Sequence, residues 1–370
     1  MKKFMVFIAA VAMVGLFAFT AVAAEWNFYG HSRMTTVYYD KAKEHVAAGA
    51  LFDDQDLTWN SQTNARLGAK VKASDTVSGR FEFQTGQAVG LRLMYGTWNF
   101  GPGTLLVGQD YTPTDTIISA SIGNRPDQLA GYAPPTDGEG NALWIGSMYT
   151  SRIPQLKLTF DGFQVALIRP STTGASGVYT DVDTTLPKIE MSYKFATDAF
   201  SVKPYFGYQT VAFSDPATDN DVSIDSYIYG AQFGVNMGPA YIKGNLFGAT
   251  NPGNYGRLEV ALYNAATVTG VNVDDADVYG GILLVGFKLN DMFKFEAGYA
   301  MDKSKTTVLG VESKNDPSHW YVNTTITMAP GVFIVPEIGR FDYGDNEVAG
   351  VPSVDQGDVM YYGAKWQINF

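Results

Sequence analysis

The chain has 370 residues, no cysteine and a formal net charge of −11. The missing cysteine excludes disulfide frameworks, thiolate zinc sites, iron–sulfur clusters and covalent haem attachment. The acidic balance excludes nucleic acid as an expected partner, because phosphate contacts need a surface rich in lysine and arginine. Aromatic residues carry a stronger signal: 23 Phe, 22 Tyr and 6 Trp suit exposed girdles at a membrane interface.

Residues 1–23 combine two lysines, an uninterrupted apolar run and the small-residue motif Ala21-Val22-Ala23. They read as a secretory signal peptide cleaved after Ala23, and losing Lys2 and Lys3 takes the net charge to −13. No later stretch reaches ~18 apolar residues, so no membrane helix is expected. Residues 24–370 are expected to form one domain.

From EWNFYGHSRMTTVYYD onward the sequence predicts strands broken by two kinds of connection. Short turns fall at 74–79, 99–103, 161–162, 197–198, 238–239, 290–291 and 329–331. Long, acidic loops fall at about 41–56, 111–143, 170–186, 214–222, 250–276, 303–317 and 343–357, with a brief link near 85–89. The two kinds alternate strictly, and fifteen connections imply sixteen strands, the last within DVMYYGAKWQINF.

Within the strands polarity alternates with period two. Tyr227, Tyr229, Ala231, Phe233 and Val235 oppose Ser226, Gly230, Gln232 and Asn236; Ile189, Met191, Tyr193 and Phe195 oppose Lys188, Glu190, Ser192 and Lys194. Phe293, Phe295, Ala297 and Tyr299 likewise oppose Lys294, Glu296, Gly298 and Asp302. A single layer without helices has nothing to cover its apolar face, and the chain is exported and closes on a strand. The expectation is therefore all-β: a sixteen-stranded antiparallel up-and-down transmembrane β-barrel with its apolar face toward outer-membrane lipid and a wet lumen. Pro154, Pro204 and Pro336 fall inside predicted strands and are expected at bulges or strand ends.

Parity places Arg66, with Asn64 and Lys70, on the polar face, together with Arg92 and Arg33. Arg80 and the acid Glu82 join them opposite Phe81 and Phe83. Arg152 shares a face with Leu156, Leu158 and Phe160, which a one-residue bulge at Pro154 would repair. An enzyme is not expected: the histidines are His31, His45 and His319, and the His31–Ser32 pair points to opposite faces. No cofactor or metal is expected, since the acids of 272–277 read first as a solvated loop and only second as a divalent-cation site.

The segments FYGHSRM, NARLGAKV, VSGRFEFQ, LRLMYGTWNFGPGTLLVGQDYTP and TSRIPQLKLTFDGFQVAL, in that order, resemble the first seven strands of the trimeric general porins of Gram-negative outer membranes. The resemblance implies a homotrimeric channel for small hydrophilic solutes, with short periplasmic turns, long external loops and loop 3 folded into the lumen. It implies that the terminal Phe370 is an assembly signal read by the barrel-insertion machinery. It also implies that Arg66, Arg92 and Arg152 form a basic arc facing acids of loop 3, Asp127 of RPDQ and Asp115. Gln109 stands where the family often has arginine, and the link at 85–89 is too short for a latch onto a neighbouring subunit. The acids Asp115, Asp127, Asp137 and Glu139 against the single Arg125 lead to an expected mild preference for cations. A substrate-selective channel and a non-conducting structural or adhesion barrel stand as alternatives.

Overall fold

The computed structural model describes residues 24–41, 56–62, 64–85, 89–122, 145–173, 181–217, 220–258 and 261–370. The expected signal peptide lies outside them. Sixteen antiparallel strands close on themselves. In chain order they are β1 (Glu25–Lys41), β2 (Asp56–Ser61 and Arg66–Lys72), β3 (Val77–Thr85), β4 (Val89–Asn99), β5 (Thr104–Tyr111), β6 (Arg152–Phe160) and β7 (Phe163–Ile168). Then come β8 (Lys188–Tyr193 and Phe195–Ala196), β9 (Phe200–Asp215), β10 (Asn220–Met237), β11 (Ala240–Thr250) and β12 (Ala276–Lys288). The last four are β13 (Phe293–Val308), β14 (Val311–Asn315 and Ser318–Ala329), β15 (Val332–Asp342) and β16 (Asp358–Asn369). Each pairs with its sequence neighbours, and β1 pairs with β16 from His31↔Asn369 to Lys41↔Val359. The backbones of Gly30 and Phe370 exchange hydrogen bonds of 2.8 and 2.9 Å, so the terminal residue completes the seam. The one helix among the described residues is a single turn, α1 (Pro252–Tyr255).

The two faces follow the predicted parity. Tyr227, Tyr229, Leu283, Tyr299 and Trp366 are exposed, whereas Ser226, Glu190, Glu296 and Asp302 are buried. All seven short turns lie where the sequence puts them. Two predicted loops are strand instead. Ser214 pairs with Asp221 and Asp215 with Asn220, so 214–222 is largely the tip of the β9–β10 hairpin. Residues 303–317 rise as a ladder from Ser304↔Asn315 to Val308↔Val311, turning at Leu309-Gly310. The physical reason is an inversion of polarity. Above Ser226 the outward residues become Asp225, Ser223 and Asp221, while the inward Ile224 and Val222 pack with Val211 and Phe213 beneath Ala266, Val268 and Val273. Parity continues, but the outward side chains are polar where the strand has left the apolar zone, so the sequence there reads as loop.

The prolines do not sit at bulges. Pro154 pairs with Gln109, and Pro336 with Ala364, without a register shift. The β8–β9 ladder instead lapses between Ser192↔Tyr205 and Phe195↔Val202, opposite Pro204. The β14–β15 ladder lapses between Asn323↔Glu337 and Ile326↔Ile334, opposite Pro336. A missing N–H is met by omitting one ladder bond rather than by inserting a residue.

Cross-strand glycines let tyrosine rings lie flat on the sheet. A Cβ on Gly339 would stand 2.4 Å from Tyr361 Oη and 2.6 Å from the Trp320 carbonyl. The ring laid over that glycine brings its hydroxyl to Glu337 at 2.7 Å and to His319 Nε2 at 2.9 Å. Gly339→Val is therefore expected to displace Tyr361 and cost about 1–3 kcal/mol of stability as overpacking. Thermal loss of β-sheet circular dichroism in detergent, compared with the parent chain, checks this.

Candidate functional site

A cavity of about 250 Å³ is lined by five basic side chains: Arg33 of β1, Arg66 of β2, Arg92 of β4, Arg152 of β6 and Lys365 of β16. Among the described residues no acid lines it. Its other boundary includes Ile117, Ser119, Ala120, Ser121 and Tyr149 of loop 3, the connection between β5 and β6 at 112–151.

The basic wall is organised around Glu82 of β3, which is fully buried. Glu82 accepts hydrogen bonds from Arg92 Nε at 2.9 Å, Arg80 Nη2 at 2.9 Å and Tyr29 Oη at 2.8 Å, and lies 3.3 Å from Arg66 Nη1. Arg92 reaches it through a β-bulge. The β3–β4 register shifts between Glu82↔Leu93 and Phe83↔Leu91, so Arg92 is the extra residue and both Arg92 and Leu93 are buried. The carbonyls of Leu91 and Arg92 accept hydrogen bonds from Gln109 Nε2 at 3.2 and 3.1 Å. The residue read in the sequence only as a lost positive charge thus satisfies the backbone that the bulge leaves open.

A set of acidic side chains on β8, β13 and β15 holds the loop by its backbone. Thr114 donates from its N–H and hydroxyl to Glu190 of β8 at 3.0 and 2.8 Å. The Ala120 N–H donates to Glu296 of β13 at 2.8 Å, and the Gly146 N–H to Asp302 of the same strand at 2.9 Å. Ser121 Oγ and the Ile122 N–H donate to Glu337 of β15 at 2.7 and 2.8 Å. Tyrosines brace these carboxylates: Tyr255 on Glu190, Tyr241 and Tyr321 on Glu296, and Tyr361 on Glu337. Arg257 pairs with Asp302 at 2.9 Å.

Arg33, Arg66, Arg92 and Arg152, four of the residues singled out in the sequence, meet at the cavity. Arg80 lies beside it, tied to Glu82 and Tyr29. Arg152 arrives without the expected bulge at Pro154; its guanidinium bonds Tyr149 Oη at 2.9 Å and lies over the Tyr111 ring, and the preceding Ser151 has φ of 71°. Asp115 does not line the cavity. It is buried within the loop's own fold, accepting from the N–H groups of Thr112 and Thr150 at 3.0 and 2.9 Å, and so ties the two ends of the loop together. Asp127 and the other loop charges, Arg125, Asp137 and Glu139, lie outside the described residues. Lys365 was missed as a site residue, although alternation in the last strand puts it on the polar face.

A family model for Gram-negative porins matches residues 9–346. The chain belongs to the Gram-negative porin family. Among solved structures, this porin is similar to the outer-membrane channel DcaP of Acinetobacter baumannii, with 16% identity and a TM-score of 0.64 over 95% of this chain and 99% of that one. It is similar to OmpT of Vibrio cholerae at 16% identity and TM-score 0.57, covering 94% and 99%. It is also similar to an anion-selective porin of Comamonas acidovorans at 13% identity and TM-score 0.58, covering 94% and 100%. No curated protein matches it. This porin is an outer-membrane channel for passive diffusion, with an exposed aromatic outer face and a polar face turned to a water-filled lumen.

Glu82 is the one carboxylate among three guanidiniums of this porin's wall. Glu82→Gln is expected to leave buried cations uncompensated, costing about 3–5 kcal/mol. It is also expected to move the zero-current potential of the surviving channels toward anions. Denaturation midpoints and bilayer recordings of the variant check the two parts.

Proposed function

We propose that the arginine-lined cavity is the constriction of this porin, that loop 3 stands inside the barrel to form it, and that the open pore favours small anions. One observation carries the reading: among the described residues, five basic side chains and no acid line the cavity. The hydrogen bonds from Thr114, Ala120, Ser121, Ile122 and Gly146 to wall carboxylates support an inward loop, because those acceptors sit on the lumen face. The cation preference expected from the sequence drew on the mature charge, on acids of the external loops and of loop 3, and on Gln109; of the loop-3 acids the described one, Asp115, is buried inside the loop. We also propose a homotrimer. OmpT of Vibrio cholerae has been solved in a trimer form, and the wall from β3 to β8 is low, with strands of 6–11 residues against 11–18 from β9 to β13. A low wall flanked by exposed Trp98, Val107 and Leu156 suits burial against a second copy better than a full bilayer. The roles of outer-membrane lipid, the barrel-insertion machinery and Phe370 as its signal belong to the same proposal; Phe370 is 73% exposed at the seam.

The test is the zero-current potential across a planar bilayer under a KCl gradient. Charges lining the lumen act over ~10 Å at 0.1 M salt and ~3 Å at 1 M. An anion-favouring sign at low salt, fading near 1 M, is the expected result, and Arg66→Ala should move it toward cations. A cation-favouring sign would mean that charges elsewhere control the pore. A closed barrel with a structural role would show no open level at all.

If loop 3 sets the pore, removing residues 117–145 should raise single-channel conductance while the channel still inserts and runs as an unboiled oligomer on gels. Unchanged conductance in such a folded deletion would place the narrowest point elsewhere.

A further inference from the structure

Three of the five cavity cations are already engaged. Arg66 and Arg92 lean on Glu82, and Arg152 is bonded to Tyr149. Arg33 and Lys365 differ: among the described residues neither has a hydrogen-bond or ion-pair partner, and Arg33 Nε is buried without an acceptor. They are neighbours. Arg33 faces Gln367 across the closing seam and Lys365 faces Thr35, so the two stand on adjacent strands, diagonally placed on the lumen face, where long side chains reach each other. Both line the cavity.

Two like charges held side by side with unmet donors form a site that lacks its anion. A buried guanidinium donor left without an acceptor is costly, and its planar fork fits an oxyanion better than a spherical ion. The ammonium of Lys365 adds a compact charge with three donors. The cavity of about 250 Å³ admits one small solute at a time.

We propose that Arg33 and Lys365 form a binding subsite for the oxyanion group, carboxylate or phosphate, of a small solute passing the constriction. The inference rests on the anion-favouring constriction above. It adds that passage of such solutes is saturable, whereas chloride, lacking the fork geometry, crosses without saturation.

The experiment is single-channel conductance in planar bilayers against rising concentrations of potassium chloride, potassium succinate and potassium phosphate at pH 7. Chloride conductance should rise linearly. Succinate, phosphate or both should saturate, and which one does identifies the solute chemistry. The double variant Arg33→Gln/Lys365→Gln should raise the half-saturating concentration about tenfold, the equivalent of one charge-assisted contact of ~1.4 kcal/mol. Lys365→Arg, which keeps the charge and the donors, should retain saturation. Only folded, inserted channels report in this measurement, so misfolding cannot imitate the effect. Linear curves for both oxyanions in the parent channel overturn the subsite. So does a double variant with unchanged half-saturation, or one that shifts chloride and oxyanions by the same factor. Linear oxyanion curves with an anion-favouring zero-current potential overturn the subsite alone; a cation-favouring potential overturns the constriction reading beneath it.

Discussion

The structure turns on the hydrogen bonds between loop backbone N–H groups and four wall carboxylates, Glu190, Glu296, Asp302 and Glu337. A barrel of this kind has no core in the usual sense, because its apolar face belongs to lipid and its inner face is polar. A segment of the loop's length that is not strand must therefore find polar partners for its own backbone. Carboxylates are the strongest acceptors available, and each is braced by a tyrosine hydroxyl, an asparagine amide or an arginine. Apolar contacts add to the grip: Ile122 and Ile145 of the loop pack among Val37, Tyr39, Ile282, Val335 and Tyr361.

That arrangement divides the wall charges by task. The acids of β8, β13 and β15 are consumed by the loop, whereas the cations of β16, β1, β2, β4 and β6 face the cavity with Glu82 as their local counter-charge. The bulge at Arg92 sharpens the asymmetry. It turns two consecutive residues inward, and Gln109 satisfies the carbonyls beside it. A charged residue at 109 would supply one more positive group; the glutamine supplies the backbone support that keeps Arg92 in place.

Much of this was legible in the chain. Period-two polarity gave the faces, and Gly/Pro punctuation gave all seven turns, because both arise from local backbone sterics and from a lipid face that tolerates only apolar side chains. The misses have common causes. Strands beyond the bilayer keep their hydrogen bonds but lose the apolar signature, so 214–222 and 303–317 read as loops. Pro154, Pro204 and Pro336 read as bulges or strand ends because a proline shows in sequence and a skipped ladder bond does not. Parity alone brought Arg33, Arg66 and Arg92 to one face, but it could not foresee that Asp115 would turn into its own loop or that Lys365, in the last strand, would stand beside Arg33 of the first across the seam.

The net charge of −11 says little about the cavity. A total charge describes the far field, and salt removes that field within about 10 Å at 0.1 M. A solute in the cavity meets the nearest side chains, and among the described residues these are basic. Selectivity in a narrow wet pore is set by which charges remain unpartnered after the fold has taken what it needs. Here the fold takes carboxylates, since backbone N–H groups of the loop call for acceptors, and no comparable demand falls on Arg33 and Lys365. An acidic protein can in this way hold a cavity lined by basic side chains without any excess of basic residues.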